Sequence, residues 1–98
     1  MTGAERIKKE RQRQIKSEGY SAQSDDQYVG PDLINAAIAY ATWAAFQIED
    51  NTDGQDEPPF EWPWGQIAWN PSSDPMRNLE KAGALIAAEI DRLERQVK

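Results

Sequence analysis

The sequence contains no cysteine and no histidine. Without cysteine there is no disulfide, no thiolate nucleophile and no Cys-based zinc site. Without histidine the chain loses the commonest transition-metal ligand and the one side chain that titrates near neutral pH unperturbed. Ser-His-Asp and Cys-His arrangements cannot be assembled from these residues. Any catalysis would run on carboxylates, lysine, tyrosine or a carboxylate-held metal. No run of about 18 apolar residues exists, so no membrane span is expected. The N-terminal residues Met1-Thr2-Gly3-Ala4-Glu5 lead into charged sequence with no apolar signal region, which predicts a cytoplasmic protein. Glycines occur at 3, 19, 30, 54, 65 and 83 and never cluster as a phosphate loop.

Positive charge is missing from the middle. Residues 20–75 carry ten acidic side chains and no basic one. Residues 1–19 carry six basic and three acidic side chains, and residues 76–98 carry five and four. The net charge is −6. An acidic middle repels phosphate and attracts cations or basic protein surfaces. Direct nucleic-acid binding is therefore disfavoured, although Arg6, Lys8, Lys9, Arg11, Arg13 and Lys16 form a basic arm diluted by Glu5, Glu10 and Glu18.

What is present is enough for one small domain. The chain has 98 residues, 39% of them hydrophobic, with four tryptophans, three tyrosines and two phenylalanines. Thr2 and Glu5 have capping-box spacing, which predicts a basic helix over 2–17 with a thin stripe of Ile7, Arg11 and Ile15. Glu18-Gly19 marks its end. Ser24 and Gln27 have the spacing for a second capping box, and Tyr20 and Tyr28 read as anchors of the connection. Pro31 and Asp32 open a second helix over 31–49, with proline expected at its first position. Ile34, Ala37, Ala41, Ala44 and Ile48 recur at helical spacing, and Leu33, Ile38, Tyr40, Trp43 and Phe46 add apolar surface elsewhere. A helix apolar nearly all round is expected to be buried and central.

Residues 50–74 predict a long loop in two parts. The first, up to Glu57, is polar and acidic. The second holds Phe60, Trp62, Trp64 and Trp69 among prolines and predicts a strap over the helices. Asp74-Pro75 opens a last helix over 75–97 with a cap and a first-turn proline. Leu79, Gly83, Ile86, Ile90, Leu93 and Val97 repeat at alternating spacings of 4 and 3, a heptad seam that a second copy of the chain could complete as a homo-oligomer. The expected architecture is an all-α single domain: a helical hairpin or three-helix arrangement. Its core is helices two and three under the Trp/Pro strap, and the first helix is less firmly placed.

The stretch Trp62-Pro-Trp64, Trp69-Asn-Pro71 and Arg77-Asn-Leu-Glu-Lys-Ala-Gly-Ala-Leu-Ile-Ala-Ala-Glu-Ile-Asp-Arg-Leu93 resembles a group of short accessory proteins of tailed phages and prophages. Glu10 to Ile15, Glu18-Gly19 and Asp25-Asp26 extend the resemblance over most of the chain, the acidic loop 50–57 excepted. It implies a phage origin. In the group's pattern a Glu-His pair precedes the two aspartates. Here those positions read Gln23-Ser24, so site chemistry resting on that histidine does not carry over.

Two functional expectations follow. The first is a non-enzymatic protein that binds a host protein or small ligand, and so blunts a host defence or redirects a host enzyme. Asp50, Asp53, Asp56, Glu57 and Glu61 would supply phosphate-like charge, with Trp62 and Trp64 as anchors. The second is a small Mg²⁺-dependent nucleotide hydrolase or nucleotide-binding protein, with Asp25, Asp26 and Glu89 as the metal set. The spacing disfavours the second. Glu89 and Asp91 lie two apart and so face apart on a helix.

Overall fold

The computed structural model describes residues 1–17, 30–50 and 57–97. Gly19, Tyr20, Gln23, Ser24, Asp25, Asp26, Gln27, Tyr28, Asp53 and Asp56 lie outside the described residues, as does the expected end of the first helix at Glu18. The described residues form three helices: α1 (Gly3–Ser17), α2 (Asp32–Ile48) and α3 (Pro75–Val97), with a short 3₁₀ turn at Gln66–Ala68. None is long and apolar enough to cross a membrane. This is the small all-α domain that the periodicities predict.

The helix ends are set by local chemistry. At α1 the Thr2 amide donates to Glu5 Oε1 and the Glu5 amide donates to Thr2 Oγ1, both at 3.1 Å. That reciprocal pair satisfies two amides that the helix itself leaves free. Ahead of α2, Gly30 takes φ +65°, a left-handed conformation open to glycine at little cost. Pro31 is the N-cap of α2 rather than its first helical residue. Its carbonyl accepts from the Asn35 amide at 2.8 Å, a role that needs no N–H and so suits proline as well as the expected one. At α3, Asp74 Oδ1 accepts from the Met76 amide at 2.9 Å, and Pro75 is the first residue.

The helices α2 and α3 pack as an antiparallel hairpin. Gln47, near the end of α2, meets Asn78, in the first turn of α3, and Tyr40, two turns earlier, lies under Lys81. Between them lie Leu33, Ala36, Ala37, Tyr40, Ala82, Leu85 and Ala88, with Ile34, Trp62, Trp64 and Trp69 packed against the cluster. Alanines let the two backbones approach closely.

One expectation is corrected here. The helix α2 is not buried all round, because Ile38, Ala41, Ala45 and Ile48 face outward. On α3 the seam residues Leu79, Ile86, Ile90 and Leu93 are exposed, while Asn78, Ala82, Leu85, Ala88 and Arg92 are buried. The close-packing alanines, Leu85 and one buried amide took the inner face of α3, and most of the branched aliphatics were left outside.

The first helix is also placed more firmly than its thin stripe predicts. It packs on α3, with Ile7 seated over Gly83, where a side chain would collide. Its buried residues are Glu10 and Gln14, not the apolar stripe, and Ile15 is exposed. The Glu10 carboxylate can occupy that position because α3 supplies Arg77 as its partner, and Gln14 donates to the same carboxylate.

Candidate functional site

Two regions concentrate polar and aromatic side chains: the α1–α3 junction and the strap. At the junction, Arg13 forks onto Glu10 with two hydrogen bonds of 2.8 Å. Arg77 reaches the same carboxylate at 2.9 Å and Glu80 at 2.6 Å, Arg6 meets Glu80 at 3.3 Å, and Gln14 Nε2 donates to Glu10 at 3.1 Å. Burial raises the pKa of Glu10, but hydrogen bonds from Arg13 and Arg77 and their positive charges outweigh it and hold the carboxyl at about 2. Such a group stays ionised at neutral pH and is no proton shuttle. Its work is to fasten α1 to α3. Arg6, Arg11 and Arg13 thus face acids at Glu80, Asp91 and Glu10, so half of the basic arm is engaged with its own chain.

The strap is held by aromatic rings that meet mostly edge to face. Trp69 lies 4.8 Å from Tyr40 and 4.9 Å from Trp62, and Trp62 meets Tyr40 at 5.6 Å and Trp64 at 5.1 Å, centroid to centroid. Trp43 meets Trp69 edge to face at 6.2 Å. These are favourable ring separations. Lys81 Nζ donates to the Asn70 carbonyl at 3.0 Å while lying over the Tyr40 ring at 5.4 Å. At the far end Asn78 ties the strap down. It accepts from the Ser72 amide, and its Nδ2 donates to the Ser72 carbonyl and to Gln47 Oε1, each at 2.8 Å.

Pinned this way, the strap has an outer surface set by two tight turns. The Trp62 amide donates to the Pro59 carbonyl at 3.0 Å, which puts Phe60 and Glu61 at the centre of the first turn. The Ala68 amide donates to the Gly65 carbonyl at 2.9 Å, which puts Gln66 and Ile67 at the centre of the second. Of these central residues Phe60 is 99% exposed and Ile67 103%. Trp62 and Trp64, the expected anchors, are half-buried and turned to the core. Asp50 and Glu57 are exposed, and Glu61 is half-buried. Sequence reasoning missed Phe60 and Ile67 as outward residues. Neither turn carries proline or glycine at its central positions, where those residues most often mark a turn.

No protein-family model matches the chain. Comparison with curated proteins and with solved structures found no match either. Function therefore rests on the site itself.

A cavity of about 250 Å³ lies between strap and helices, lined by Gln14, Tyr40, Trp62, Trp64 and Lys81 among others. Gln14 Oε1 is buried and has no hydrogen-bond partner among the described residues. Of the expected magnesium set, Asp25 and Asp26 lie outside the described residues. Glu89 is taken up by Arg92, at 2.6 and 3.1 Å. Among the described residues no three acidic side chains converge as a metal site.

Proposed function

We propose that this chain is a non-enzymatic phage accessory protein that binds a host protein in the cytoplasm and thereby inhibits a host defence or redirects a host enzyme. The observation that carries the reading is the full exposure of Phe60 and Ile67 on a strap anchored from beneath by Trp62, Trp64 and Trp69. Large apolar side chains held out on pre-ordered turns lose little entropy on docking, which is how interface anchors gain affinity. Asp50, Glu57 and Glu61, with Asp53 and Asp56 in the same acidic stretch, select a partner with a basic rim. The resemblance to short phage proteins supports a host protein as that partner.

The test is affinity capture from host lysate, followed by binding measurements with the purified partner. Phe60→Ser with Ile67→Ser should abolish binding while the helical signal is kept. Charge reversal at Asp50, Asp53, Asp56, Glu57 and Glu61 should weaken it and remove its salt dependence. Unchanged affinity in both variants rules the strap out.

A second reading is a small planar ligand, a nucleotide base included, in the cavity under the strap. Gln14 Oε1 favours it as a buried acceptor without a partner among the described residues. Quenching of tryptophan fluorescence on titration with nucleosides would support this reading. Magnesium-dependent nucleotide hydrolysis draws no support from Glu89, whose carboxylate is bound to Arg92.

A further inference from the structure

The protomer is built inside out. Its buried core is mostly alanine: Ala36, Ala37, Ala39, Ala44, Ala82, Ala84 and Ala88. Leu33 and Asn78 are its largest fully buried side chains. Most of the branched aliphatics lie outside, with Ile38, Ile48, Leu79, Ile86, Ile90 and Leu93 between 41% and 68% exposed. A small monomer short of core volume would place these residues inward.

They also share one face. At about 100° per residue, Ile38, Ala41, Ala45 and Ile48 form one stripe along α2, and Leu79, Ile86, Ile90 and Leu93 form one along α3. The strap packs on Tyr40 and Trp43 of α2 and meets Lys81 of α3. On each helix those strap contacts lie to one side of the line joining the helices, and the aliphatic stripe lies to the other. Because the helices run antiparallel, the same sense of rotation on each leads to the same side of the pair. The two stripes thus make a single apolar face opposite the strap. The first helix occupies a third position, against α3 at Glu80 and Gly83, and leaves this face open.

We propose that this face is closed by the same face of a second copy, two hairpins meeting across a two-fold axis as a four-helix bundle. Area supports it. Six branched side chains exposed to this degree present on the order of 600 Å², at the top of the range for a monomer's largest apolar patch. A standard interface buries about 800 Å² per partner, a figure that flanking residues would complete. The chemistry is self-complementary, since neither stripe contains a charged residue and like charges are not brought together across the axis. The spacings of 4 and 3 along α3 are those of helices meeting side by side in bundles. This pairing is separate from the strap, which lies on the other side of the hairpin and stays open in the dimer.

The experiment is light scattering on the full chain over a dilution series, with Ile90→Asp on α3 and Ile38→Asp on α2 alongside. The unaltered chain should show twice its 11.1 kDa mass. Each variant should show the single mass with its helical circular dichroism retained, and Phe60→Ser should remain dimeric. Because either aspartate variant could fail to fold, the unaltered chain is also followed by NMR on dilution, with shift changes expected along the two stripes. A single-chain mass at every concentration overturns the proposal. So does a dimer that both aspartate variants keep.

Discussion

Replacing Gly83 with alanine sets two effects of known sign against each other. In the middle of a helix, Gly→Ala gains about 1 kcal/mol from backbone preference. Here the added Cβ would lie 2.5 Å from Ile7 Cδ1, 2.7 Å from Cγ1 and 3.2 Å from Cγ2. The clash involves the branch of Ile7 as well as its tip, so a rotation of the terminal methyl alone does not relieve it. Overpacking of this kind costs about 1–3 kcal/mol, and Gly83→Ala should therefore destabilise by about 1 kcal/mol. In a domain of this size that lowers Tm by about 4–8 °C. The loss should centre on α1, where hydrogen exchange should quicken first. In an Ile7→Ala background the obstruction is gone, and the same substitution should stabilise by up to about 1 kcal/mol. Thermal and urea unfolding of the four proteins, at one fixed protein concentration, complete the double-mutant cycle. A stabilising Gly83→Ala in the unaltered background, or a coupling near zero, would refute the seating of Ile7 on Gly83.

Asn78→Ala should cost about 2–3 kcal/mol in urea unfolding, since it strands the Ser72 amide and Gln47 at a buried junction. Glu10, held at about 2 against an ordinary 4.5, contributes stability that is fully present above pH 4.5 and lost as pH falls through 2. Unfolding followed between those limits should slope accordingly, on the order of 3 kcal/mol across the window, and Glu10→Gln should flatten it. Thr2→Ala removes a capping box and should cost about 1 kcal/mol, read as faster exchange in the first turn of α1. Phe60→Ala and Ile67→Ala should each leave stability within about 0.5 kcal/mol, as expected for side chains fully exposed in the free protein. A large loss at either would mean that the residue packs within the fold instead.

The helices and most of their ends were legible in the sequence because they depend on neighbours a few residues apart. Thr2 with Glu5, and Asp74 before Pro75, are interactions within one turn. The same holds for the all-α class and the tryptophan strap, which follow from period and composition. The face that each helix buries was not legible. Both α2 and α3 carry two apolar stripes, the inner one richer in alanine and the outer one carrying most of the larger aliphatics, and periodicity cannot rank them. Close approach of two backbones decided for alanine, a property of the pair and of neither helix alone. Burial of Glu10 was hidden for the same reason. A carboxylate reads as surface until Arg77, more than sixty residues away, is brought beside it. The orientation of the strap followed from ring packing: Tyr40 drew Trp62 and Trp69 inward, and the two turns left Phe60 and Ile67 pointing out. The sequence by itself determined the elements and their charges. Which residues face one another, and so which remain free to meet a partner, was decided only by tertiary contacts between segments far apart in the chain.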